Sequence, residues 1–348
     1  MKSTLKVKAL FASVTLVAAV IATVPAHAAA VGPICDGAVP IQKCQGTTSD
    51  GAPYVMVVPA NFNGTVALYS HGYRLNVPVA PIGYPAVLNT PEPAPGGDAA
   101  TMNYFLSNGM AIMGSGFARQ GWNADSALAT NVELISTFKT KFTKTDKVVA
   151  WGSSLGGVIT QGLAEKYPNL VSAVAPMCMA DNVIPEMTMA GDLMWGLKTF
   201  FDPTIKGGNY SAGVAGVQEA VADLAKVGAV LTALKAGVSS GAWPSTSSAA
   251  GKALEAAGVP SRSALLLVGL MAGLPTQSAH FDGVSGPDGA LKVTFPLAVS
   301  PALAVLENAS VGAVLGIFIM HDLENQAGGV VFDNSKTDYA KRIAEERV

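Results

Sequence analysis

The sequence predicts an α/β protein: a mostly parallel sheet flanked by helices, with a helical cap inserted after it. Three observations carry this. From residue 52 onward short apolar runs of strand character alternate with helical patterns, as a parallel sheet with covering helices requires. One run, "KVVAWGSSLGGVIT" from Lys147, passes from strand through a small-residue turn directly into a helix. After residue 180 the chain becomes rich in Ala, Gly and Met, carries sparse charge, and shows helical periodicity instead of strand alternation.

The first stretch stands apart from the folded protein. Lys2, Lys6 and Lys8 form a basic start, residues 9–24 form a short apolar run, and Ala26-His27-Ala28 supplies a small-x-small cleavage pattern. Residues 1–28 therefore read as a secretory signal peptide, with the mature protein secreted or periplasmic. The apolar run is too short, and too closely followed by the cleavage pattern, for a membrane anchor. In an oxidising compartment Cys35 and Cys44 can close the loop "CDGAVPIQKC" as a disulfide, which leaves Cys178 in the apolar "AVAPMCMA" as a buried, inert thiol.

Residues 29–180 form the predicted core. "GTVALYSHGY" (64–73) and "GMAIMGSGFA" (109–118) are buried strands that end in Gly-containing loops, and the Pro- and Gly-rich chain between them includes a long surface loop. After Trp122, Leu128, Val132 and Ile135 recur at helical spacing behind Asn123 and Asp125 as capping residues. The strand from Lys147 and its helix follow, the helix running to Tyr167 before Pro168 ends it, and "LVSAVAPM" (170–177) is a fourth strand. Residues 181–330 form the cap, expected to lie over the carboxyl edge of the sheet and to line a pocket with Met187, Met189, Met194 and Trp195. The apolar stretches 264–275 and 297–320 fit buried helices, since the first is too short to span a bilayer and Glu307 interrupts the second. Residues 331–348 form a charged C-terminal helix.

The formal net charge of -2 gives no basic footprint for nucleic acid and no electrostatic draw to a membrane surface. Three cysteines and four histidines, none spaced i, i+3 or i+4 from another, give no metal-site pattern.

Gly152-Ser153-Ser154-Leu155-Gly156 fits G-x-S-x-G, with a β-branched strand before it and an apolar helix after it, and an earlier strand ends in Ser70-His71-Gly72-Tyr73. In these residues the sequence resembles the α/β-hydrolase superfamily, specifically its secreted serine esterases and lipase-like members. The resemblance covers residues 64–177. It implies Ser154 as the nucleophile, the backbone N–H groups of Tyr73 and Leu155 as oxyanion donors, a structural role for His71 in the oxyanion loop, and no cofactor.

A serine needs a histidine to take its proton and a carboxylate to orient that histidine. The order in the resembled family puts the base after residue 154, which leaves His280 and His321. His321 follows "AVLGIFIM", which reads either as a last buried strand with Asp288 as the acid upstream, or as a helix from a Ser310 cap to a Gly-Gly stop. Asp181, after the fourth strand, is the second acid candidate. The resembled fold carries acid and base on two strands after the cap, so a third reading places both outside this chain. Three functions follow: a hydrolase of carboxylic esters, either acyl esters or a polyester; a secreted peptidase acting on short peptides, for which the low-charge cap offers little grip; and an incomplete hydrolase that binds apolar ligands.

Overall fold

The computed structural model describes residues 30–37, 41–76, 92–240, 248–258, 263–264, 268–269 and 301–346. Residues 1–28, expected to be a signal peptide, and His280 and Asp288 lie outside them.

Among the described residues seven strands form one sheet: β1 (Val31–Asp36), β2 (Ile41–Thr47), β3 (Pro53–Pro59), β4 (Thr65–Ser70), β5 (Ala111–Ser115), β6 (Lys147–Ser153) and β7 (Ala173–Met177), in the order β1-β2-β3-β5-β4-β6-β7. β4 pairs in parallel with β5 and β6, and β6 with β7, while β3 runs antiparallel to both β2 and β5, and β1 antiparallel to β2. Five strands therefore point one way, with β1 and β3 opposed. The predicted mostly parallel sheet is present, extended by an antiparallel arm. Cys35 and Cys44 sit opposite each other in the β1–β2 register and form the expected disulfide, Cα to Cα 4.0 Å.

Alternation along the strands sorts side chains to two faces. Val66 and Leu68, Ala111 and Met113, and Val148 and Ala150 pack under Leu134, Ile135 and Phe138 of α2 (Ala124–Lys141) and Ile159 and Leu163 of α3 (Leu155–Lys166). The intervening Ala67, Ile112 and Trp151 meet Met102, Phe105 and Leu106 of α1 (Ala99–Ser107) on the other face. Asp98 caps α1 by accepting the Thr101 N–H at 2.8 Å. Asp125 in the first turn of α2 and Lys139 and Lys141 in its last turn complement the helix dipole.

After β7 the described elements are helices: α4 (Val183–Phe200), α5 (Gly213–Ser240), α6 (Ala249–Ala256), α7 (Pro301–Ala327) and α8 (Tyr339–Glu346). Their own core joins Leu193, Met194, Leu197 and Phe200 of α4 to Leu224, Val227, Leu231 and Leu234 of α5 and to Ile317 and Phe318 of α7. Leu75, from the loop after β4, inserts into this helical core and joins it to the sheet. Among the described residues no helix is long and apolar enough to cross a membrane.

Several expectations change. "AVLGIFIM" is helical and belongs to α7, which starts at Pro301 and so runs past Ser310; the helix ends before Gly328, whose φ of 73° suits glycine. The strand reading of that segment fails because its apolar side chains pack against helices α4 and α5, not against a sheet. The charged C-terminal helix begins at Tyr339, not at residue 331, and is described to Glu346. Met187 and Met194 are buried core residues, Met189 is exposed, and Trp195 stacks on Tyr339 with the Lys198 ammonium 4.0 Å from its ring centre, so the expected pocket-lining set is dispersed. Cys178 is exposed, not buried, because β7 presents alternate residues to solvent and the chain turns at Cys178 with φ 42°.

Candidate active site

Ser154 lies between the end of β6 and the start of α3 with φ 57° and ψ −125°, a conformation that non-glycine residues avoid. Its side chain is exposed, and its N–H donates to the Met177 carbonyl at the end of β7, 3.0 Å away. The turn is this sharp because its flanking glycines let α3 approach β4. A Cβ on Gly152 would stand 2.5 Å from the Ser70 carbonyl oxygen and 2.6 Å from that of Gly156, and one on Gly156 would overlap the Ser70 oxygen outright. The G-x-S-x-G spacing thus has a steric cause, and the cost of the strained serine is borne by the packing around it.

The loop after β4 runs beside the serine. A Cβ on Gly72 would lie 3.3 Å from the Ser153 carbonyl oxygen and 3.6 Å from Ser154 Cβ. Beneath it Asn131 Nδ2 donates to Ser70 Oγ at 3.0 Å in a fully buried pair. His71 is buried, its ring centre 4.6 Å from that of Phe117, and its Nδ1 lies 2.7 Å from the Gly72 carbonyl oxygen, which assigns the proton to Nδ1. Burial, with the nearby Arg74 charge, lowers its pKa to about 4, so the ring is neutral at pH 7. Its place inside the loop fits a structural role. Tyr73 packs against the sheet core, the helical core and a smaller cluster of Met187, Ile319, Met320 and Phe332. The Tyr73 hydroxyl is buried with no hydrogen-bond partner among the described residues, and burial pushes its ionisation far above the usual tyrosine range. Leu155 opens α3, placing its N–H in the unsatisfied first turn of a helix.

Two of the partner candidates, His321 and Asp181, lie among the described residues. His321 is on α7, 4% exposed, with Nε2 3.2 Å from the Ser211 carbonyl oxygen and the Asn325 amide nitrogen 3.0 Å from the same ring nitrogen. Gly216 packs against that ring so closely that a Cβ there would overlap Nε2. Asp181 is exposed in the β7–α4 connection. No hydrogen bond joins Ser154 to either of them among the described residues. Asp322, next to His321 in sequence, reaches the loops after β4 and β5: Oδ1 accepts from Asn76 Nδ2 at 2.7 Å and Oδ2 from the Trp122 N–H at 2.5 Å. Nothing in the local sequence marks it out, since a carboxylate near a helix end is ordinarily solvated.

No protein-family model and no curated protein matches the sequence. Among solved structures the chain is similar to a post-proline cleaving enzyme from Rickettsia typhi (15% identity, TM-score 0.31, 44% of this chain and 22% of that one). It is similar to the esterase Pf2001 from Pyrococcus furiosus (14% identity, TM-score 0.30, 46% and 62%) and to feruloyl esterase B from Aspergillus oryzae (12% identity, TM-score 0.32, 91% and 74%). The chain covers less than two thirds of the length of the first two. In this protein's own structure, the parallel run β5-β4-β6-β7 beside an antiparallel β3, with a serine at a positive-φ turn between strand and helix, constitutes a sheet and turn of the α/β-hydrolase type.

Proposed function

We propose that the protein is an exported serine hydrolase of carboxylic esters. The observation that supports this reading most is the strained, solvent-exposed Ser154 at the carboxyl end of the interior strand β6, where the strand order switches direction around β4. In this mechanism Ser154 Oγ attacks the ester carbonyl while a histidine takes its proton. The Tyr73 and Leu155 N–H groups hold the oxyanion, a contribution of about 3 kcal/mol per donor by analogy with measured oxyanion holes. The same histidine returns the proton to the departing alcohol, and water attacking the acyl-serine regenerates the enzyme. The base is His321, His280 or a histidine outside this chain, with Asp288 or Asp181 as the acid where the base lies within it. Residues 1–28 and the Cys35–Cys44 disulfide support export.

The test is hydrolysis of nitrophenyl esters from acetate to long acyl chains by the purified mature protein beside Ser154→Ala, His321→Ala and His280→Ala. Activity lost in Ser154→Ala is the expected result; a histidine variant that loses it too names the base, and activity kept in both histidine variants places the base outside this chain. A wild-type rate equal to that of Ser154→Ala overturns the reading. Aminoacyl anilides run in parallel would reveal a peptidase.

A further inference from the structure

We propose that Asp322 is a positioning residue for this active site: by tying cap helix α7 to the loops after β4 and β5, it holds the Tyr73 amide beside Ser154. The inference rests on the esterase reading above and deepens it. The three residues that follow Tyr73 are each pinned. The Arg74 carbonyl accepts the Gly121 N–H at 2.8 Å, Leu75 is buried in the cap core, and the Asn76 amide donates to Asp322 Oδ1 at 2.7 Å. The other Asp322 oxygen takes the Trp122 N–H, and Gln326, one turn further along α7, donates to the Trp122 carbonyl at 3.0 Å. Gly121, at φ 82°, lies so close to the carboxylate that a Cβ there would overlap Asp322 Oδ2.

One carboxylate, 6% exposed, thus closes a triangle between α7 and two sheet loops, one of which carries the proposed oxyanion donor. A buried acceptor with two directional donors fixes both loops in register, and a donor displaced by about 1 Å from its working position can cost about a hundredfold in rate. The loss should fall on kcat, because the oxyanion exists only in the transition state.

The experiment compares kcat and KM of wild type, Asp322→Ala, Asp322→Asn, Asn76→Ala and the double variant Asp322→Ala/Asn76→Ala on the best nitrophenyl ester, with Ser154→Ala as the blank and thermal melts for each. The expected result is a kcat at least about tenfold lower in Asp322→Ala with KM within about threefold. Asp322→Asn should recover most of kcat, since its oxygen still accepts from Trp122 and the Asn76 amide can turn to present its own oxygen. Asn76→Ala should lose less than Asp322→Ala, and the double variant no more than Asp322→Ala, because both remove the same bond. An unchanged kcat in Asp322→Ala, a loss confined to KM, or an Asn variant no better than Ala overturns the proposal while leaving the esterase reading intact. Should Asp322→Ala fail to fold, Asn76→Ala decides, a lowered kcat supporting the proposal and an unchanged one overturning it. A wild type no faster than Ser154→Ala removes the esterase reading itself, and this proposal with it.

Discussion

Ser154 and His71 show how single residues at the sheet edge trade stability for position. A non-glycine residue at φ 57° and ψ −125° costs about 1–3 kcal/mol, and it persists here because Gly152 and Gly156 admit the close contact with Ser70 that holds the turn. His71 is buried as the neutral ring, with a pKa of about 4 against the ordinary 6.5. Because the unfolded chain binds the proton more readily, its contribution to stability is fully present above pH 6.5 and is lost as pH falls through 4. The shift corresponds to about 3 kcal/mol at most. Urea melts should therefore show stability declining from pH 6.5 to pH 4, and the decline should be shallower in His71→Phe. Equal pH slopes in the two proteins would remove His71 as the cause.

The β1–β2 hairpin is the element whose existence depends most on covalent chemistry. Its strands are largely exposed, and among the described residues β1 pairs only with β2, so little apolar burial holds it. The disulfide closes a loop of sequence separation 9 and stabilises the arm by about 2–3 kcal/mol in the chain-entropy account. Cys35→Ser should lower the unfolding free energy by that amount, read from urea melts without reductant. A thiol reagent should find one reactive group in the native protein, the exposed Cys178, and three after reduction and unfolding. The central elements were legible from the sequence. Val148 and Val149 before the small-residue turn and the Leu128, Ile135 spacing in α2 reflect local periodicities that burial on one face or both imposes. The antiparallel arm was less legible, because "VGPICD" and "IQKCQGT" have no apolar alternation and become strands by pairing, β2 with β3 and β1 with β2.

At the scale of the whole molecule, the described contacts between the helical region and the sheet include Leu75 entering the helical core, Tyr73 touching three clusters, and Asp322 and Gln326 reaching back from α7. Leu75→Ala should lower stability by about 2–5 kcal/mol through transfer and cavity terms. If the two regions unfold together, tryptophan fluorescence and far-ultraviolet circular dichroism should shift by the same amount; separation of the two transitions would mean that cap and core are independent units.

The sequence by itself determined the alternation of strands and helices, the strand-to-helix turn at Ser154 and the cysteine pair, because each follows from contacts within a few residues or from a single short loop. Tertiary structure alone decided that His321 lies in a helix against Ser211, that Cys178 faces solvent, and that Asp322 reaches across to Asn76 and Trp122, contacts spanning 246 and 200 positions along the chain. Such pairings depend on how the helices after β7 pack against the loops of the sheet, and no local periodicity encodes that.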